Sequence, residues 1–114
     1  MKKRKCRVIK DYESPYTEPL LMPKGEVLTF EEKECEWSGW IWCTNKFGES
    51  RWVPEKYLEI DGNKCKMVQD YNSKELNITV GEELTIEKEE AEWFWVINQK
   101  GVSGWVPIEN VEII

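Results

Sequence analysis

The chain has 114 residues, the length of one ordinary domain or of two very small ones. It carries 22 acidic residues against 16 basic ones, so most of its surface repels a phosphate backbone and favours neutral or basic partners over nucleic acid. No apolar run is long enough for a membrane-spanning helix, and a polar stretch follows MKKRKCRVIKDY where a secretory signal needs an apolar core, so an unprocessed cytoplasmic protein with no membrane partner is expected.

In chain order, Lys2, Lys3, Arg4, Lys5 and Arg7 form a basic head, whose residues 1–4 read as a solvated tail. An extended segment, CRVIKDYES at 6–14, opens the body of the chain. After a polar loop, Gly25 turns into the strand Val27-Leu28-Thr29-Phe30. The acid run EEKECE then leads to the aromatic, β-branched strand Trp40-Ile41-Trp42-Cys43-Thr44. Asn45-Lys46-Phe47-Gly48 has the composition of a hairpin loop, and Pro54 ends the returning strand because proline cannot donate to a ladder. A further apolar strand reaches Ile60, and Asp61-Gly62-Asn63-Lys64 has the residues of a tight join.

Past that join the chain repeats itself. CKMVQDYNS at 65–73 matches the opening segment, GEELTI at 81–86 matches GEVLTF at 25–30, and WFWVINQKGVSGWVPIENVEI at 93–113 matches WIWCTNKFGESRWVPEKYLEI at 40–60. The offset falls from 59 to 56 to 53, so the second copy has lost three residues after Tyr71 and three more just before Trp93. Loss confined to two places indicates two loops on a shared scaffold. Each copy therefore predicts a small five-stranded barrel, one over 5–60 and one over 64–114, joined by 61–63. A unit of that size buries only about 60% of its unfolded surface, so the two are expected to pack closely together.

Catalysis has little to stand on. There is no histidine, and no pattern of nucleophile and base or of a phosphate-cradling glycine loop. The four cysteines Cys6, Cys35, Cys43 and Cys65 lack the close spacing of a metal site, so no metal or other cofactor is expected and buried free thiols are.

Val8-Ile9-Lys10-Asp11-Tyr12 and Met67-Val68-Gln69-Asp70-Tyr71 resemble the ALYDY segment of Src-homology-3 (SH3) domains. Glu-Trp at 36–37 and 92–93, followed by Gly-x-x-x-Trp-Val-Pro and an apolar strand, keeps that family's order. Four weak motifs in that order, met twice, cover nearly the whole chain. The resemblance implies an all-β protein of two tandem SH3-like barrels, of the variant or bacterial type, and a shallow aromatic groove that accepts pre-extended proline-rich peptides. In the first unit it places Tyr12, Trp40, Pro54 and Tyr57 in the groove, with Glu34, Glu36 and Trp37 on the adjoining loop. In the second it places Tyr71, Trp93 and Pro107, with Glu90 and Glu92.

Two departures bear on function. The first tyrosine of ALYDY is Lys10 in one copy and Gln69 in the other, which removes one groove wall from both. The second copy also has Asn110 where the first has Tyr57, so the first groove is the better candidate. Trp42 and Trp95 share the parity of the groove tryptophans where relatives carry polar residues, and a large exposed aromatic needs a partner surface. Trp52 and Trp105 are expected to border the groove floor. The leading expectation is a non-catalytic module binding an extended proline-containing or basic peptide, as a monomer or weak homo-oligomer. The alternative is an assembly protein whose aromatic surfaces, Trp42 and Trp95 among them, join its units or two chains.

Overall fold

A computed structural model describes residues 3–16, 18–31, 33 and 39–114. In order its elements are β1 (Lys5–Val8), β2 (Leu21–Met22), β3 (Val27–Glu31), β4 (Trp40–Thr44), β5 (Ser50–Pro54), a 3₁₀ turn (Glu55–Tyr57), β6 (Leu58–Asp61), β7 (Lys64–Met67), β8 (Tyr71–Asn72), β9 (Glu83–Glu90), β10 (Trp93–Ile97), β11 (Ser103–Pro107), a second 3₁₀ turn (Ile108–Asn110) and β12 (Val111–Ile113). The strands form where the sequence alternates. Cys6 and Val8 of β1, like Cys65 and Met67 of β7, point inward while their neighbours face out.

The strands make two antiparallel five-stranded sheets, ordered β11-β10-β9-β1-β12 and β5-β4-β3-β7-β6, with β2 paired to β8. Each sheet mixes the two repeats. β1, from the first copy, lies between β9 and β12 of the second, whereas β7 of the second copy lies between β3 and β6 of the first. The expected limits 5–60 and 64–114 therefore describe the sequence repeat and not the compact unit. One unit is contiguous, Pro19–Ser73; the other is split into Met1–Glu18 and Lys74–Ile114. We call them the contiguous and the split barrel.

The exchange is complete down to single hydrogen bonds. The Gly81 amide donates to the Val8 carbonyl in the split barrel as Gly25 donates to Met67 in the contiguous one, and the Ile9 amide donates to Asn110 as Val68 donates to Tyr57. The two equivalent aspartates make equivalent bonds: Asp11 accepts from the Val80 amide and Asp70 from that of Lys24, each at 2.8 Å or less.

The join between the copies explains this topology. Asp61 pairs directly with Lys64, leaving only Gly62 and Asn63 in the turn. Gly62 has φ +63°, the left-handed conformation that a two-residue hairpin with glycine first requires. A two-residue turn forces β6 and β7 to be hairpin neighbours, and β7 thereby takes the place beside β3 that β1 would otherwise fill. The contiguous barrel is thus a circular permutation of the repeat, and β1 is left to complete the split barrel.

Charge favours the same partition. Three cations of the basic head reach acids of the split barrel: Lys3 pairs with Glu87 at 2.8 Å, Arg4 with Glu89 at 3.7 Å, and Arg7 with Glu83 at 3.9 Å and Glu112 at 3.8 Å. In the unexchanged register the counterpart of Glu83 is Val27, so Arg7 would lose that partner. Exposed pairs contribute at most about 1 kcal/mol each, enough to bias a choice between near-equivalent strands but not to hold a barrel. That task falls to the cores, Cys6, Val8, Leu84, Phe94, Val96 and Val106 in the split barrel and Leu28, Cys43, Val53, Cys65 and Met67 in the contiguous one.

Candidate functional site

The strand exchange reassigns the aromatic sites. In the contiguous barrel Trp40 lies directly across β4–β5 from Pro54, and the chain turns at Pro54 into the 3₁₀ segment that carries Tyr57. The tyrosine beside them is not Tyr12 but Tyr71 of the second copy. Its ring meets Tyr57 edge-on at 5.6 Å, and its hydroxyl donates to the Trp52 carbonyl at 3.1 Å. In the split barrel Trp93 lies across from Pro107, and Tyr12 meets Trp93 edge-on at 5.6 Å. Tyr12, Trp40, Pro54 and Tyr57 are therefore not one constellation, because Tyr12 travels with β1 into the other barrel.

The two sites differ in what they leave open. Tyr57 is 2% exposed and Tyr71 6%, so both form a floor, while Trp40 is half-buried and keeps part of its indole at the surface. Trp93 is 5% exposed. Asn110, at the position of Tyr57, is buried; its amide nitrogen donates to the carbonyls of Lys10 at 3.2 Å and Asp11 at 3.1 Å. It thus ties down the segment leading to Tyr12 where the contiguous barrel has an aromatic ring. Glu75 accepts a 2.6 Å hydrogen bond from the Tyr12 hydroxyl, which ties this acid to the barrel.

Glu90 and Glu92 lie at the β9–β10 turn. Glu90 pairs with Trp93, leaving Ala91 and Glu92 as a two-residue turn with φ +43° and +71°. Glu92 is held there by its carbonyl, which accepts from the Ile108 amide at 3.1 Å. The contiguous barrel makes the equivalent bond, Glu55 to Gly39, with a glycine at φ +90°. Glu34, Glu36 and Trp37, expected beside Trp40, lie outside the described residues.

Trp42 and Trp95 have partners inside their own barrels. Trp42 pairs across the strands with Trp52, rings 5.1 Å apart, and the Lys33 ammonium sits 4.0 Å from the Trp42 ring centre. Trp95 pairs likewise with Trp105 at 5.3 Å, under Lys88 at 5.8 Å. Each outer sheet face is thus closed by an edge-to-face tryptophan pair capped by a cation, an arrangement that stabilises beyond area burial alone. The order Trp-x-Trp followed by Gly-x-x-x-Trp held that signal; the lysine was not legible from it.

Cys43 and Cys65 are buried free thiols with sulfurs 3.9 Å apart. Burial pushes both thiols up from their ordinary range, and raises Cys6 to about 11. Such groups are poor nucleophiles and poor ligands. Among the described residues no cluster of three metal-ligating side chains occurs, and no helix is long and apolar enough to cross a membrane.

Two small antiparallel barrels with aromatic residues at the strand–turn junctions define a binding architecture. The variant SH3 domain family model matches residues 5–61 and 64–114, and the chain belongs to that family, whose members are protein-interaction modules. An SH3 and F-BAR domain-containing protein of Dictyostelium discoideum is 36% identical over 77 residues, which covers 65% of this chain and 14% of that relative. The chain thus spans a small part of its relative's length. No solved structure matches.

Proposed function

We propose that the chain is a non-catalytic, cytoplasmic module that captures an extended proline-containing or basic peptide at the contiguous barrel, over Trp40 with Pro54, Tyr57 and Tyr71 beneath. The observation that carries this reading is the contrast between Trp40, half-open beside its proline, and Trp93, 5% exposed at the equivalent place. A flat indole over a tyrosine floor suits the ridges of a polyproline II helix, which pays little ordering entropy on binding. The acidic composition favours a basic flank on that peptide.

An array of proline-rich peptides, followed by fluorescence titration, tests it. Trp40→Ala should weaken binding by about ten-fold or more, the size of a hot-spot aromatic, while Trp93→Ala changes it less than about two-fold. Failure of every peptide to bind, or equal loss in both variants, would sink the proposal. A second reading, that the grooves are vestigial and the protein serves assembly, draws on the burial of Tyr57 and Tyr71, which removes their rings from direct contact with a ligand. It predicts no peptide binding and an oligomer in sedimentation.

A further inference from the structure

We propose that residues 1–18 are an exchangeable arm, and that a second copy of this chain is a partner whose own arm fills the split barrel in reciprocal exchange. The split barrel is incomplete without the arm, since β1 is its fourth strand of five, hydrogen-bonded on both sides to β9 and β12. What completes it arrives from 55 residues away along the chain: all of Pro19–Ser73 lies between the arm and Lys74.

The slot accepts a strand by its own chemistry, not by its place in the sequence. The molecule already fills each slot with the other repeat's strand: KCRV and KCKM bury Cys6 and Cys65, at 0% and 1% exposure, in equivalent places. An arm supplied by another copy would bring the same Lys3, Arg4 and Arg7 to the same Glu83, Glu87, Glu89 and Glu112. Every contact within the barrel is therefore kept in trans, with the chain crossing over near Glu18 and Pro19, which is the condition for low-cost swapping. Concentration decides the outcome, because a tethered arm sees its slot at an effective concentration of order millimolar. Dilute folding gives monomers, and folding at or above that concentration gives dimers that dissociate only by unfolding the split barrel.

The wild-type chain tests this without substitution. Unlabelled and ¹⁵N-labelled protein are mixed unfolded, refolded at roughly 10 µM and at roughly 1 mM, and treated with a carbodiimide, which joins an amine to a carboxylate in contact. The Lys3–Glu87 pair, 2.8 Å apart, is the reporter. Linked peptides carrying one light and one heavy half should rise about ten-fold or more between the two concentrations, together with a dimer in sedimentation. Lys3–Glu87 links that stay within one label at both concentrations overturn the proposal, even if a dimer forms by other contacts. Absence of the link at both concentrations overturns it as well, since the arm would then not occupy this slot.

Discussion

The two barrels are the same fold built in two ways. The contiguous barrel is one uninterrupted stretch whose exchanged strand is delivered by a two-residue turn; the split barrel waits for a strand whose tether runs through the whole of its neighbour. They spend their residues accordingly. The contiguous barrel keeps Tyr57 and a half-open Trp40 at its aromatic site, while the split barrel uses Asn110 to tie the arm by its backbone carbonyls and four ion pairs to hold the arm's flank. Duplication thus gave one unit with a half-buried tryptophan over buried tyrosines and one whose equivalent positions serve cohesion.

Removing residues 1–18 should have the largest effect and is the sharpest test of the exchange. In the structure these residues complete the split barrel, so the truncated chain should lose amide protection throughout 74–114 and keep it in 19–73. An unexchanged tandem pair predicts the reverse, with 64–114 intact and the first barrel lost. Hydrogen exchange read residue by residue separates the two, and protection retained at 74–114 would break the comparison.

Alkaline pH should then divide the barrels by the number of thiols each buries. A thiol whose folded pKa lies above its unfolded one stabilises the fold below the unfolded value, and that contribution is lost as pH rises. For Cys6 the loss begins near pH 9 and continues to about 11. Each such thiol gives a slope of about 1.4 kcal/mol per pH unit within its window. The split barrel buries Cys6 in a core that holds Val96, whereas the contiguous barrel buries both Cys43 and Cys65, so its stability should fall more steeply above pH 9. Cys43→Val, which installs the residue found at position 96, should bring the two slopes together. Equal slopes in the wild type would show that the thiols ionise without unfolding.

Most of the fold was legible in the sequence, because strands, turns and repeats are written locally: the repeated segment marked β1 and β7, glycines marked the turns, and Pro54 and Pro107 marked strand ends. Which strand joins which barrel was not. KCRV and KCKM satisfy either slot, so periodicity is silent about the choice. The deciding features are a two-residue turn at Gly62-Asn63 and the match of basic Arg7 to acidic Glu83, both relations between segments. The candidate site inherited that blindness: Trp40 pairs with Pro54 and Tyr57 follows in the next turn, while Tyr12 follows β1 into the other barrel. Asn110 was visible as a departure from Tyr57, but its two backbone carbonyl partners belong to residues 10 and 11, a hundred positions away.

The smallest effect concerns the turn where the second copy lost three residues. Shortening closed β9–β10 with two residues, and such a turn places both in the left-handed region, where Asn and Gly are at ease and Ala and Glu are not. Glu92 at φ +71° carries roughly 1–2 kcal/mol of local strain, against roughly 0.5–1 kcal/mol of unfolded-state freedom that a glycine would add. Glu92→Gly should therefore stabilise the split barrel by about 0.5–1 kcal/mol, a rise in midpoint of a few degrees. Gly39→Ala, at φ +90° in the contiguous barrel, should move that barrel the other way by a similar amount. The opposite signs follow from one backbone requirement, since the carbonyls of Gly39 and Glu92 both accept the amide that follows the strand-ending proline. If Glu92→Gly instead destabilises the split barrel, the glutamate side chain must contribute more than its backbone strain costs, and the loop's difference between the barrels would lie in charge and not in length.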